Sequence, residues 1–267
     1  MSPGVEAPRN VAGVARLWSE LLIEPILSVL FPPRCVGCGE FETHLCDPCR
    51  HSLLPVGDGC CPRCGEPGPR PLVGGRCSHC MGINPAYAGA RSAFRHHGAA
   101  RRLVTEFKLG GQPVLGRLMA DLARPAFSGY VSTLGGRDRI VVTWVPVHRV
   151  AQRARGYNQA ELLARALAGA QPPMTLAGLV LKKVATKHQK GLGKTDRQAN
   201  LRGVFTMDHR AATELPSGCR GLLLVDDVYT TGATAREVSS VLVQGTGLPV
   251  HVFTFSRAVS GLTERHD

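Results

Sequence analysis

Apolar positions along the chain fall into blocks with different periods. Between Val11 and Phe31 they recur at Val14, Leu17, Leu21, Leu22, Ile26, Leu27 and Leu30, interrupted by Arg16, Glu20, Glu24 and Pro25. A membrane span needs about 20 apolar residues without such breaks, so residues 1–33 are predicted to form an amphipathic helix that docks on the body, not a transmembrane segment. Contact with a membrane surface is the weaker reading, because the acids oppose an anionic bilayer. Residues 34–82 show no apolar period. Alternation then predicts a strand over Tyr87–Arg95 and a helix over Ala99–Leu109 that Gly110 and Gly111 close, with Pro113 opening a second helix to about Leu122. Ile140–Val145 is an apolar, β-branched strand ended by Pro146, and Leu162, Leu163, Ala166 and Leu167 mark another helix. Leu222–Val225 carries no charge, as a strand buried on both faces of a parallel sheet should. Helical spacing resumes with Val238, Val241 and Leu242 beyond Ala235. The predicted class is α/β, with a body over 83–260 and a tail over 261–267.

Cysteine usage changes the reading of the silent block. Cys35/Cys38, Cys46/Cys49, Cys61/Cys64 and Cys77/Cys80 are four Cys-x-x-Cys pairs, with glycine or proline in or beside most of them. Two such pairs complete the tetrahedron of thiolates that zinc prefers, so the block is predicted to be a module with one or two structural Zn²⁺ sites. First pair with second and third with fourth is the simplest arrangement; interleaving is chemically equivalent. A redox or disulfide role is the alternative, and His44, His51 and His79 are nearby substitutes for a thiolate. Cys60 and Cys219 are left over. No secretory signal is visible, and the thiols fit a reducing cytoplasm. A formal net charge of +12 points to anionic ligands, nucleic acid or both.

Two acids, Asp226 and Asp227, end the apolar run, and Thr230-Thr231-Gly232-Ala233-Thr234 follows before the helix. Gly232 lets backbone N–H groups approach an anion, threonine hydroxyls add donors, and the helix start favours negative charge. Adjacent carboxylates beside a phosphate cradle suit one ligand with both phosphate and hydroxyl groups, a ribose 5-phosphate. A Walker pairing with Gly193-Lys194-Thr195 is excluded, since the glycine it needs is His188. The segment resembles the 5-phosphoribosyl 1-pyrophosphate (PRPP) motif of type I phosphoribosyltransferases, with Tyr229 where an aliphatic residue is usual. That resemblance implies a mostly parallel twisted sheet flanked by helices. It also implies ribose contacts from Asp226 and Asp227 and a 5-phosphate held by Thr230, Thr231, Gly232, Ala233 and Thr234.

Further motifs narrow the resemblance. Glu106-Phe107-Lys108-Leu109-Gly110-Gly111, and the run from Pro146 through Arg155-Gly156-Tyr157-Asn158-Gln159-Ala160, are similar to segments of the ComF competence protein family, which joins zinc-binding cysteines to a phosphoribosyltransferase domain. His148 replaces a proline and Tyr157 a phenylalanine. The resemblance implies a pyrophosphate loop at Pro146, Val147, His148 and Arg149. It implies a lid over 182–202, where Lys187, Gln189, Leu192, Arg197 and Asn200 follow the family pattern. The expected chemistry is Mg²⁺-dependent displacement of pyrophosphate from PRPP, with Asp226, Asp227, Arg155 and Lys187 in catalytic roles and Arg149 and Arg153 beside the leaving charge. The alternative is a non-catalytic competence factor that binds single-stranded DNA and DNA-uptake proteins on the same fold.

Overall fold

A computed structural model describes residues 32–68, 77, 78, 80–183 and 203–259. The expected helix over 11–31, the body of the lid over 184–202 with Lys187, and the tail over 261–267 lie outside the described residues. The chain divides into two compact units after His51. Among the described residues the first carries one short helix, α1 (Asp47–His51).

In the second unit five strands form one sheet: β1 (Gly89–Arg95), β2 (Ile140–Trp144), β3 (Thr175–Leu176), β6 (Gly221–Tyr229) and β7 (Val250–Arg257). Their order is β1-β7-β6-β2-β3, and each neighbouring pair is parallel. β4 (Val180–Lys182) and β5 (Phe205–Met207) make a separate antiparallel pair. Among the described residues this unit's helices are α2 (Gly98–Leu109), α3 (Val114–Ser132), α4 (Arg149–Arg155), α5 (Gln159–Gly169), α6 (His209–Thr213) and α7 (Ala233–Thr246).

Leu222 to Val225 are fully buried, as a central strand covered on both faces requires. Leu222 and Leu224 face Val238 and Leu242 of α7 together with the β4–β5 pair. On β7, Phe253 meets Phe127 of α3 edge-on at 5.1 Å between ring centroids. Helices thus cover a parallel sheet, in line with the expected α/β class.

Three local expectations are corrected. β6 does not stop at Val225 but runs to Tyr229, because Asp226, Val228 and Tyr229 keep pairing with Thr254, Ser256 and Arg257 of β7. The loop expected at Pro146, Val147, His148 and Arg149 ends at His148, and Arg149 already belongs to a helix. His148 accepts a hydrogen bond from the Val150 N–H at its start, and Gly156 closes it at φ +83°, so Arg149–Arg155 winds as α4. The helix opened by Pro113 continues through Pro125 to Ser132, because Pro125 is exposed while Ala123, Phe127, Tyr130 and Val131 extend the buried stripe.

Candidate functional site

After β2 the chain turns to β3 on one side of the sheet; after β6 it turns to β7 on the other. The adjacent C-terminal ends of β2 and β6 are therefore the topological switch point, where open α/β sheets bind ligands. A cleft of about 280 Å³ opens there, lined by Pro146 and Val147 beyond β2, Asp226, Asp227 and Thr230 from β6 and its loop, Thr234 of α7, and Lys108, Arg155 and Lys182. A second chamber of about 530 Å³ shares Pro146, Val147, Asn158 and Lys182 with it and adds His148, Arg149 and Lys183.

Asn158 holds the wall between them. Its side-chain amide donates to the Val145 carbonyl at 3.1 Å while its oxygen accepts from the Ala160 and Glu161 N–H groups, fixing the chain beyond β2 to the start of α5. Next to it the Tyr157 hydroxyl donates to the Phe107 carbonyl at 2.6 Å, and its ring stacks on Phe107. Tyr157 in place of phenylalanine thus adds a hydrogen bond that fixes the end of α2, from which Lys108 reaches Asp227 at 2.8 Å. His148 occupies its proline-like position at φ −67°, an angle proline itself would adopt.

The two carboxylates differ. Asp227 is buried against Lys108. Asp226, partly accessible in the cleft, accepts the Asp227 N–H at 2.9 Å. Burial and then the neighbouring Asp227 push Asp226 up to about 7, against the pull of Lys108 and Lys182. Burial lowers Lys182 in turn, with Asp226 opposing and Arg155 reinforcing the shift. The cleft thus holds two acids, two lysines and an arginine, one acid being close to its titration point at neutral pH.

The loop between β6 and α7 borders a small pocket of about 20 Å³, lined by Thr230, Gly232, Ala233 and Thr234 with Asp226 and Thr254. Thr231 faces inward to the loop instead: its hydroxyl accepts from the Ala233 N–H, and its carbonyl accepts from Arg236 at 2.8 Å. Gly232 sits at φ +70°, and a Cβ there would collide with the Tyr229 hydroxyl. Gly247 has nearly the same φ, +69°, and open space around it. A left-handed L-residue costs roughly 1–2 kcal/mol, so Gly247→Ala is expected to lose about that much stability in chemical denaturation. Gly232→Ala should lose more, by the displacement of Tyr229; equal losses would show that this contact is slack.

The expected site residues mostly converge. Asp226, Asp227, Thr230, Thr234, Pro146, Val147 and Arg155 line the cleft; Gly232 and Ala233 line the pocket; His148 and Arg149 line the adjoining chamber. Arg153 is exposed and lines neither chamber. Lys108 and Lys182 were not singled out as site residues. The glycine pair after Lys108 was the available signal for the first, and the start of the basic stretch for the second.

The cysteines gather as Cys35, Cys38, Cys46, Cys49 and, separately, Cys61, Cys64, Cys77, Cys80, with all ligand atoms of a group within 4.8 Å of one another. The pairing is therefore in sequence order. Sulfur–sulfur distances of 3.5 Å (Cys35–Cys46, Cys64–Cys77) and 3.7 Å (Cys61–Cys80) match the edge of a tetrahedron with Zn–S bonds of about 2.3 Å. All ten thiols are free of disulfides. Burial would raise Cys35 and Cys61, but backbone N–H donors outweigh it and hold each thiol at about 6, whereas burial raises Cys49 to about 12 and Cys80 to about 11. Each group fits structural Zn²⁺, which would neutralise thiolates that otherwise repel. Metal analysis of the purified protein is expected to give two zinc ions per chain; one or none would overturn the double assignment.

A family model described as "Double zinc ribbon domain" matches residues 26–81. Competence protein F of Haemophilus influenzae is 28% identical over 214 residues, covering 78% of this chain and 90% of that protein. DNA utilization protein YhgH of Salmonella typhimurium is 28% identical over 201 residues, covering 74% of this chain and 84% of that protein. Competence protein ComFC of Bacillus subtilis is 24% identical over 226 residues, covering 81% and 85%. The likeness to ComF proteins read from short motifs thus extends over most of the chain. Among the described residues no helix is long and apolar enough to cross a membrane.

Proposed function

We propose that this protein serves DNA uptake as a PRPP-binding protein of the phosphoribosyltransferase type, working in the cytoplasm. The names of its relatives support the first part: competence protein and DNA utilization protein. The observation that carries the second is the meeting of paired acids, an anion loop and basic side chains in one cleft at the switch point. In this reading Thr230, Thr234 and the start of α7 hold the 5-phosphate, and Asp226 and Asp227 accept from the ribose hydroxyls. Pro146 to Arg149 and Arg155 border the diphosphate, and the resemblance adds Lys187 as a further counter-charge. The bond from C1 to the diphosphate oxygen breaks with its electron pair leaving on diphosphate, and a lone pair on the acceptor forms the new bond to C1. Anchoring both ends of the sugar supplies the orientation this displacement needs, and the cations stabilise the departing charge.

Mg²⁺ would supply further charge neutralisation on the diphosphate. The described residues hold no cluster of three acidic or histidine ligands besides the thiolate groups. A magnesium ion bound with the diphosphate would draw on ligand oxygens and water, its usual habit, with Asp226 and Asp227 as the nearby carboxylates. The test is calorimetric titration of the zinc-loaded protein with PRPP and Mg²⁺. Saturable binding at micromolar concentration supports the reading; absence of heat, with no thermal protection, overturns it.

The chamber bearing Arg149, Lys182 and Lys183 favours a second reading, in which single-stranded DNA lies along it without chemistry. Strand binding that weakens steeply with salt and is indifferent to Asp226→Ala would support that reading over the enzyme.

A further inference from the structure

We infer that the second thiolate centre and the anion loop form one cooperative unit, with Arg257 as the positioning residue between them, so that metal at Cys61, Cys64, Cys77 and Cys80 tightens the loop's hold on its ligand. The inference rests on the proposed reading that the loop takes a phosphate. Arg257 ends β7 and is completely buried. Its guanidinium donates to the carbonyl of the zinc ligand Cys64 and to the carboxylate of Glu66, and it lies over the Tyr229 ring at 4.7 Å. A Cβ at Gly65 would meet the Ala90 carbonyl oxygen at 2.7 Å and Arg257 Nη1 at 3.3 Å, so the turn inside this centre is seated tightly on β1 and on Arg257.

From Tyr229 the contacts continue into the site. Its hydroxyl pairs with that of Tyr87 at 2.7 Å and fills the space under Gly232 that a side chain would take. Burial raises both phenols, which stay neutral, so one donates to the other. The Cys61–Glu66 turn is itself closed by Gly65 N–H to the Cys61 carbonyl at 2.8 Å and Cys61 N–H to the Glu66 carbonyl at 2.9 Å. Metal bound to Cys61 and Cys64 holds that turn, and the turn presents both acceptors to one guanidinium. Without metal the Cys64 carbonyl and Glu66 carboxylate lose their fixed spacing, Arg257 loses its seat, and Tyr229 no longer supports the loop. Such a path needs no contact between metal and ligand; it is a coupling free energy and must act in both directions.

The experiment uses the full chain, zinc-loaded, with chelator competition to read zinc affinity and hydrogen exchange to read the amides of Thr230 to Thr234. PRPP with Mg²⁺ is expected to tighten zinc at the second centre by about 10-fold, within the ordinary range of such couplings. Cys77→Ser, which removes the one ligand of that centre that is not buried, is expected to weaken PRPP by the same factor and to speed exchange in the loop. Arg257→Gln should keep zinc but lose the coupling, and Arg257→Lys should restore part of it. Glu66→Gln, a milder change at a slightly exposed carboxylate, gives the same test should Arg257→Gln fail to fold. Coupling undiminished in Arg257→Gln or Glu66→Gln, or loop exchange indifferent to Cys77→Ser, overturns the inference while the ligand assignment stands. Loop exchange that responds to Cys77→Ser in a protein that binds no PRPP supports the mechanical link and overturns the ligand assignment instead.

Discussion

Asp227→Ala is expected to lower the affinity for PRPP with Mg²⁺ by roughly 10- to 150-fold while leaving the protein folded. A hydrogen bond to a charged group contributes about 1.5–3 kcal/mol, and in the proposed pose the ribose hydroxyls donate to this pair of acids. The substitution also releases Lys108, whose ammonium lies 2.8 Å from Asp227 and whose side chain is 32% exposed. Lys108 can turn to solvent, so the fold loses little, whereas the ligand loses its acceptor and a cation held in register beside it. Lys108→Met separates the two contributions: it keeps the acid and should weaken binding less. Calorimetry checks affinity and circular dichroism checks the fold. Unchanged affinity in a folded Asp227→Ala protein would remove the ribose from this cleft.

Why these residues were readable, and others not, follows from the range of the contacts. Leu222 to Val225 announce a doubly covered strand through composition alone, and the acids, Gly232 and the threonines lie within a few positions of it. The cysteine spacing is equally local, and it yields two compact ligand groups. Asn158 was legible as part of a motif, although its tie to the Val145 carbonyl spans 13 positions. The residues that escaped reading act across the chain. Lys108 meets an acid at position 227, Tyr87 meets Tyr229 across 142 positions, and Arg257 reaches Cys64 across 193. A buried arginine at the end of a strand of valine, phenylalanine and threonine carries no local sign of its partner. β6 outruns its apolar residues for a related reason: the acids that end the apolar run stay in the strand because β7, a distant segment, pairs with them. The family likeness pointed to the candidate site but could not supply these supports, since Tyr229 and Tyr157 both depart from its usual pattern and both make hydrogen bonds through the hydroxyl that the usual residue lacks.

Asp226→Asn should have opposite effects on stability and on binding, and the sign depends on pH. Asp226 titrates near 7 in the folded protein, raised first by burial and then by Asp227, against an ordinary value of 3.8. Between those two values the folded state holds a proton that the unfolded chain has released, so wild-type stability falls as pH rises from about 4 through about 7 and is level above that. At about 1.4 kcal/mol per pH unit the difference amounts to a few kcal/mol at pH 8. The asparagine variant carries no such proton. Its melting temperature relative to wild type is expected to climb over this window, a comparison in which the acid-labile zinc centres of the two proteins cancel. Binding runs the other way: cationic magnesium and hydroxyl donors need the ionised acid, so wild-type affinity for PRPP with Mg²⁺ should rise up to about pH 7 and then level off, with proton release visible as a dependence of the titration heat on the buffer. The variant should show weak, pH-independent binding. A flat wild-type profile, or an asparagine variant no more stable than wild type at pH 8, would mean that burial beside Asp227 does not hold the proton on Asp226.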